Sequence, residues 1–145
     1  MHNKLNMVSL SEASLVLIPY VALIVRVWMG FNMVIHGYPK IRAFKQTAQQ
    51  MNQALGIPIK FTYIATILEF FGGIFLIIGL IVPVVALLFA IYMISIVFMK
   101  RKKMNAVYIS PQGTSYELDI TYIIISIALF ALGAGALSID SLINF

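Results

Sequence analysis

Long apolar stretches alternate with short polar ones along this chain. Four stretches approach the length of a membrane-spanning helix, over residues 15–36, 61–82, 84–99 and 120–139. A helix needs about 20 apolar residues to cross a bilayer, and lipid offers no partners for open backbone groups. The roughly 10-residue alternation of a membrane β-barrel is absent from the sequence. The pattern predicts an all-α integral membrane protein, a four-helix bundle with a tight hairpin at Pro83.

Residues 38–60 interrupt the apolar pattern between the first two stretches. Apolar residues recur there at the three- and four-residue spacing of one helical face: Ile41, Phe44, Ala48, Met51 and Leu55. Gly56 and Pro58 then suit a helix end. We predict a short interfacial amphipathic helix over residues 40–55, with a solvated helical loop as the alternative.

Basic residues concentrate in two loops that four spans would place on one side of the membrane. These are Lys40, Arg42, Lys45 and Lys60 in the first loop, and Lys100, Arg101, Lys102 and Lys103 in the second. The other side holds Lys4, with Glu12 and Asp140. Because cytoplasmic loops carry the excess of Lys and Arg, we predict a multi-pass protein with both termini outside. This arrangement explains the net charge of +5 without a nucleic-acid partner.

Composition agrees with a membrane protein and narrows the chemistry. The chain is 61% hydrophobic and 10% charged, with a mean hydropathy of +0.98. Soluble domains average roughly 45–50% apolar and about 25% charged residues. The sequence has no cysteine and only two histidines, which excludes thiolate zinc sites and cysteine nucleophiles. We therefore expect no haem, metal ion or iron–sulfur cluster on this chain.

Arg26 and Glu69 are isolated charges within the first and second apolar stretches. Such a charge at a helix centre costs roughly 2.5–3.5 kcal/mol on insertion scales. Counting from the predicted span ends places Arg26 about 16 Å from the outer side and Glu69 about 12 Å from the inner side. We therefore predict that they pair at mid-membrane. The pair is either a polar site for a quinone carbonyl or a proton, or an ion pair that only fixes helix register.

Glycines accompany both charges. Gly30 and Gly37 share the Arg26 side of the first helix, and Gly72 and Gly73 share the Glu69 side of the second. Small residues let membrane helices approach closely, so these two sides are predicted to face each other.

A second group of ionisable residues is predicted at the cytoplasmic end. His36 and Lys40 end the first span, while Glu117 and Asp119 precede the fourth, with Tyr92 as a neighbour. His36 has the unperturbed pKa nearest neutrality among these groups. The group is either a proton entry and substrate-binding mouth, or an ordinary interfacial network with carboxylates at a helix N-terminus.

Three motifs together resemble a known family. The first is R-x3-G-x5-HG-x2-K from Arg26, the second E-x2-GG-x5-GL from Glu69, and the third GAGALSID from Gly133. Their order and spacing resemble the DoxX family of small four-helix membrane proteins. That family includes the DoxD-type subunit of archaeal thiosulfate:quinone oxidoreductase. The resemblance covers residues 26–140, and Ala134 stands where the family usually has Pro.

The resemblance implies a membrane subunit linked to quinone-dependent redox metabolism, including sulfur or thiosulfate chemistry. It implies a quinone as substrate, a prokaryotic plasma membrane, and other membrane subunits or a second copy as partners. Carried over by motif, it marks Arg26, His36, Lys40 and Glu69 as site residues. The alternatives are a non-catalytic accessory subunit of a larger respiratory complex and a small transporter.

Overall fold

The computed structural model describes residues 2–111 and 113–143, with side chains from Leu15 onward. The helices are α1 (His2–Arg42), α2 (Phe44–Leu55), α3 (Ile59–Ile67), a π-helical segment (Leu68–Gly72), α4 (Gly73–Ile78), α5 (Val82–Lys103), α6 (Glu117–Leu132) and α7 (Ile139–Leu142). Among the described residues the only strand-like pairing is an isolated bridge between Val107 and Ser115. The predicted all-α membrane bundle is therefore confirmed.

Four helical rods form the bundle, because α3, the π-helical segment and α4 continue one another as a single rod. α1 packs along this composite rod, and α5 packs along α6. The buried core between them includes Met29, Met33, Leu76, Phe89 and Leu129. Unbranched Met side chains fill irregular gaps between helices, which accounts for their position here.

Glycines bring α1 and the composite rod into backbone contact. A Cβ on Gly30 would lie 2.6 Å from the Gly73 carbonyl oxygen, and one on Gly37 would lie 2.8 Å from the Phe70 nitrogen. No side chain fits at such distances, so only glycine permits this approach. The prediction that the glycine-bearing sides face each other is confirmed for Gly30, Gly37 and Gly73, and these contacts fix an antiparallel register between the two rods. Gly72 faces α5 instead, because a Cβ there would lie 3.1 Å from the Phe89 ring.

Within the part of the chain that the structure describes, three helical stretches are long and apolar enough to cross a membrane: Leu15–Arg42, Ile59–Ile78 and Val82–Lys103. The predicted fourth span, 120–139, is wrong at its C-terminal end, because α6 stops at Leu132 after 16 residues. Gly133 and Gly135 both have positive φ, at 71° and 76°, and end the helix. The segment after them turns back onto the end of the bundle and finishes in α7.

The hairpin predicted at Pro83 is present but longer than expected, with residues 79–81 between the helices instead of residue 83 alone. α4 ends at Ile78, Gly79 adopts a left-handed conformation, and α5 begins at Val82 with Pro83 in its first turn. Ile81 also has a positive φ of 45°, which is rare for a β-branched residue. The second rod therefore ends about one turn before the predicted boundary at residue 82.

The amphipathic helix is present as α2, shorter than predicted at its start because α1 continues through Pro39 to Arg42. The apolar side of α2 packs on α3, where Ala48 is fully buried. Phe44 stacks on Tyr63 with ring centroids 4.2 Å apart. At the far end the Lys103 ammonium donates to the Leu55 carbonyl, which ties α2 to α5.

Large apolar side chains remain exposed around the rods, including Leu15, Ile24, Phe31, Ile91 and Ile124. A bilayer would cover such a surface. The end of the bundle that carries α2 and the end of α5, here called the basic end, also carries the predicted cluster of Lys and Arg. We call the opposite end, formed by residues 79–82 and 133–142, the turn end.

Candidate functional site

The predicted site residues Lys40 and Glu69 form an ion pair. The Lys40 ammonium lies 2.6 Å from Glu69 Oε1 and 2.5 Å from Oε2. The Tyr92 phenol, from α5, also donates to Glu69 Oε1. We call Lys40, Glu69 and Tyr92 the Glu69 cluster. It joins three of the four rods through one carboxylate.

A change of helix type positions Glu69. The carboxylate belongs to the π-helical segment Leu68–Gly72, and π-helical turns occur mostly as single bulges near functional sites. Glu69 is only 4% exposed. Lys40 reaches Glu69 from the last turn of α1, and the Lys40 side chain is 33% exposed to solvent. The buried carboxylate is therefore connected to the exterior through Lys40.

A second ion pair lies beside the Glu69 cluster. The Lys100 ammonium, in the last turn of α5, lies 2.6 Å from Asp119 Oδ2 in the first turn of α6, and it donates to the Ser115 carbonyl at 3.1 Å. Asp119 is close enough to Tyr92 to act on it electrostatically. Two buried carboxylates, Glu69 and Asp119, therefore act on Tyr92, which bonds to Glu69.

Two buried threonines extend the polar side of the composite rod toward the basic end. Thr62, Thr66 and Glu69 are spaced four and three residues apart, and all three are buried. The Thr62 hydroxyl oxygen is fully buried and has no hydrogen-bond partner within the protein. A buried hydroxyl of this kind is where an internal water binds.

Arg26 does not pair with Glu69, so the predicted mid-membrane Arg26–Glu69 site is wrong. The Arg26 guanidinium donates to the Ala134 carbonyl at 2.8 Å and to the Leu137 carbonyl at 2.7 Å. Asp140 is the carboxylate that attracts it electrostatically. Arg26 is 1% exposed and belongs to the turn end of the bundle.

Asp140 completes this second network, which we call the Arg26 cluster. Its carboxylate accepts from the backbone N–H of Ile81 at 2.6 Å and of Val82 at 2.9 Å, and its own N–H donates to the Gly79 carbonyl at 2.9 Å. A carboxylate at the start of a helix satisfies open N–H groups and complements the helix dipole. Asp140 thereby holds the strained hairpin and the start of α5.

Register explains why the predicted pair does not form. Because the second rod ends at Ile78, Arg26 lies opposite Gly79, with its Nη1 at the space a Cβ on that glycine would occupy. Glu69 lies at the middle of the same rod, opposite the end of α1. Arg26 and Lys40 are fourteen residues apart, which is about 21 Å along α1. The predicted depth of Arg26 was counted from residue 15, but α1 begins at His2, and Arg26 lies level with the turn end of the second rod.

The other predicted site residues are divided by exposure. Asp119 is buried and adjoins the Glu69 cluster, whereas His36 and Glu117 are exposed and lie outside it. Tyr92 and Lys100 also take part in the buried network; the sequence predicted Tyr92 only as a neighbour of the cytoplasmic group and Lys100 only as a loop cation. Their signal in the sequence was modest: a hydroxyl in a long apolar stretch, and the first cation after it.

The described residues contain no group of three or more His, Cys, Asp or Glu side chains placed to hold a metal ion. A surface groove of about 500 Å³ lies between α1 and α4 and is lined only by apolar residues, including Trp28, Phe31 and Ile77. It suits a hydrocarbon chain and holds none of the ionisable groups described above.

Comparison with known proteins agrees with this architecture. The family model DoxX matches residues 21–101, more than half of the chain. A protein of Bacillus subtilis (strain 168) described as "Putative oxidoreductase CatD" is 27% identical over 118 residues, which are 81% of this chain and 83% of that protein. No solved structure gives a significant match. The family match includes the Arg26, Lys40, Glu69 and Tyr92 positions.

Proposed function

Because this chain belongs to the DoxX family, we propose that it is the membrane subunit of a quinone-linked oxidoreductase in a prokaryotic plasma membrane. The Glu69 cluster is the site at which a quinone headgroup exchanges protons. One observation carries this proposal: a buried carboxylate in a π-helical turn, bonded to the ammonium of Lys40 and the phenol of Tyr92.

The composition of the cluster suits the chemistry of a quinone. Reduction of a quinone adds two electrons and two protons, and each carbonyl oxygen becomes a hydroxyl. A reduced carrier on a partner polypeptide supplies the electrons. Tyr92 donates a proton to the nearer carbonyl oxygen, and the Glu69 carboxylate relays a proton from the Lys40 ammonium to the resulting tyrosinate. Water supplies the proton for the other carbonyl oxygen, and Lys40 regains its proton from the exterior. Lys40, partly exposed, offers a positive charge to the reduced headgroup.

The same cluster also provides the path for proton replacement. Glu69 is reached from the basic end by the buried hydroxyls of Thr66 and Thr62. The unpartnered Thr62 hydroxyl is a place for a water between them and the exterior. By the positive-inside rule the basic end faces the cytoplasm, so protons would be taken from that side.

A photoactivatable azidoquinone tests the proposal in reconstituted vesicles. We expect it to label wild-type protein, and labelling to fall at least tenfold in Glu69→Gln and Tyr92→Phe. Tyr20→Phe is the matched control, because Tyr20 is exposed on α1. Native quinone extracted from mildly solubilised protein should fall in parallel. Protein that neither retains nor is labelled by quinone would overturn the proposal.

A non-catalytic accessory subunit is the second candidate, and one observation favours it. Glu69 and Asp119 each already have a lysine partner, so both pairs could serve only to hold the rods together. Stable copurification with haem- or copper-bearing subunits, together with unchanged turnover of that complex after Glu69→Gln, would support this function instead.

A further inference from the structure

The connection between α5 and α6 is a folded element. The Ala106 N–H donates to the Lys100 carbonyl at 3.1 Å, and Val107 forms a bridge with Ser115. The Lys100 ammonium donates to the Ser115 carbonyl. These contacts hold the start and end of the connection together at the basic end of the bundle.

This folded connection presents apolar side chains outward. Val107, Tyr108 and Ile109 are consecutive and are 54%, 50% and 62% exposed. A run of large apolar residues in a connection that met only water would be costly and prone to association. Because the connection joins two apolar helices at the membrane surface, the bilayer interface is the nearest apolar environment.

The four cations just before the connection divide into two kinds. Lys100 binds Asp119, and Lys103 donates to a carbonyl of α2, so both are used inside the fold. Arg101 and Lys102 are exposed, and neither belongs to an ion pair among the described side chains. Arg101 lies 5.9 Å from the Tyr116 ring, and Lys102 lies 4.5 Å from the Phe98 ring.

We propose that Arg101 and Lys102, with Val107, Tyr108 and Ile109, form a binding surface for anionic phospholipid. The apolar residues enter the boundary between headgroups and acyl chains, and the two cations bind headgroup phosphate. Exposed apolar residues beside unpaired cations are the combination by which interfacial segments bind anionic membranes. Aromatic residues such as Tyr116 and Phe98 are enriched at the same level of a bilayer. This surface is separate from the Glu69 cluster and does not depend on the proposed function.

Insertion is tested with a single tryptophan. The chain has one, Trp28, so the Trp28→Phe background allows a reporter at position 108 through Tyr108→Trp. In nanodiscs containing brominated lipid we expect strong quenching of this reporter. A reporter placed by Gln50→Trp, on the exposed side of α2, serves as the control and should be quenched weakly. A reporter at 108 that stays as unquenched as that control would overturn the proposal.

Headgroup selection is tested by native mass spectrometry of the full chain. The protein is equilibrated with phosphatidylglycerol and phosphatidylcholine, and the retention of each lipid is measured. Near a surface each cation contributes about a fivefold preference for anionic lipid, so Arg101→Gln with Lys102→Gln should lower phosphatidylglycerol retention by about twenty- to thirtyfold. Arg42→Gln with Lys45→Gln removes the same charge elsewhere at this end and should have a much smaller effect. Equal losses in the two double variants, or binding of an acidic protein with no preference among lipids, would overturn the proposal.

Discussion

The two buried charge clusters of this protein use their charges in different ways. At the turn end, Arg26 and Asp140 bond to backbone groups: two carbonyls for the guanidinium and two N–H groups for the carboxylate. At the basic end, Glu69 bonds to the side chains of Lys40 and Tyr92. Backbone partners complete a turn and a helix start, whereas side-chain partners carry protons that can be exchanged. The first arrangement is suited to stability and the second to chemistry.

The largest effect on stability is therefore expected at the turn end. Arg26→Met removes the hydrogen bonds that the guanidinium donates to the carbonyls of Ala134 and Leu137, and each bond from a charged donor contributes about 1–3 kcal/mol. We expect the free energy of unfolding in detergent, followed by circular dichroism, to fall by about 2–6 kcal/mol. Lys45→Met, which removes an exposed cation, should change it by less than about 0.5 kcal/mol. Equal losses in the two variants would contradict a structural role for Arg26.

Gly30→Ala tests whether the close contact between α1 and the composite rod sets the register that separates the Arg26 and Glu69 clusters. The new Cβ would lie 2.6 Å from the Gly73 carbonyl oxygen, so α1 and the composite rod must move apart. Overpacking of this kind costs about 1–3 kcal/mol, and the same unfolding measurement should show it. A crosslink between helices placed near Lys40 should also form more slowly. An unchanged variant would show that the two rods do not depend on this contact.

Glu69→Gln should reduce stability less than Arg26→Met. The amide keeps an acceptor for the Tyr92 phenol, and Lys40 can turn toward the exterior because its side chain is 33% exposed. We expect a loss of about 1 kcal/mol, the usual net value of one hydrogen bond. A loss as large as that of Arg26→Met would make the Glu69 cluster primarily structural, and the contrast between the two ends would disappear.

The smallest effects are expected for the two predicted site residues that the fold leaves exposed. His36→Ala removes a side chain outside the Glu69 cluster, and Glu117→Gln removes a charge outside it. Surface changes of this kind usually stay within about 0.5 kcal/mol. Quinone labelling of both variants should equal that of wild type. A large loss in either one would extend the functional site beyond the cluster.

Hydropathy predicted the helical rods well because a membrane-spanning segment must satisfy its own backbone. The hydropathy pattern placed the hairpin at Pro83 and the amphipathic helix correctly, and the glycine positions indicated where the first two rods meet. It extended the fourth span too far, since the apolar residues after Gly133 resemble lipid-facing ones. That segment instead folds over the turn end and offers its carbonyls to Arg26.

The candidate site was predicted only in part. Glu69 was identified because charge is scarce within the apolar stretches, whereas Lys40 and Asp119 were identified as ionisable residues at the ends of spans. Their partners could not be assigned, because partner choice depends on the register of two rods to within one turn. The contacts of Gly30 with Gly73 and of Gly37 with Phe70 set a register that places Arg26 at the turn end and leaves Glu69 to Lys40 and Tyr92.

The sequence by itself determined that this is a helical membrane protein with basic residues gathered at one end. Those properties follow from the free energy of transferring each side chain from water to lipid. Each residue contributes to that free energy independently of its neighbours. Only the tertiary structure decided which charges meet. That choice depends on where helices end, how closely glycines let them approach, and which side chain lies at the same level on the next rod.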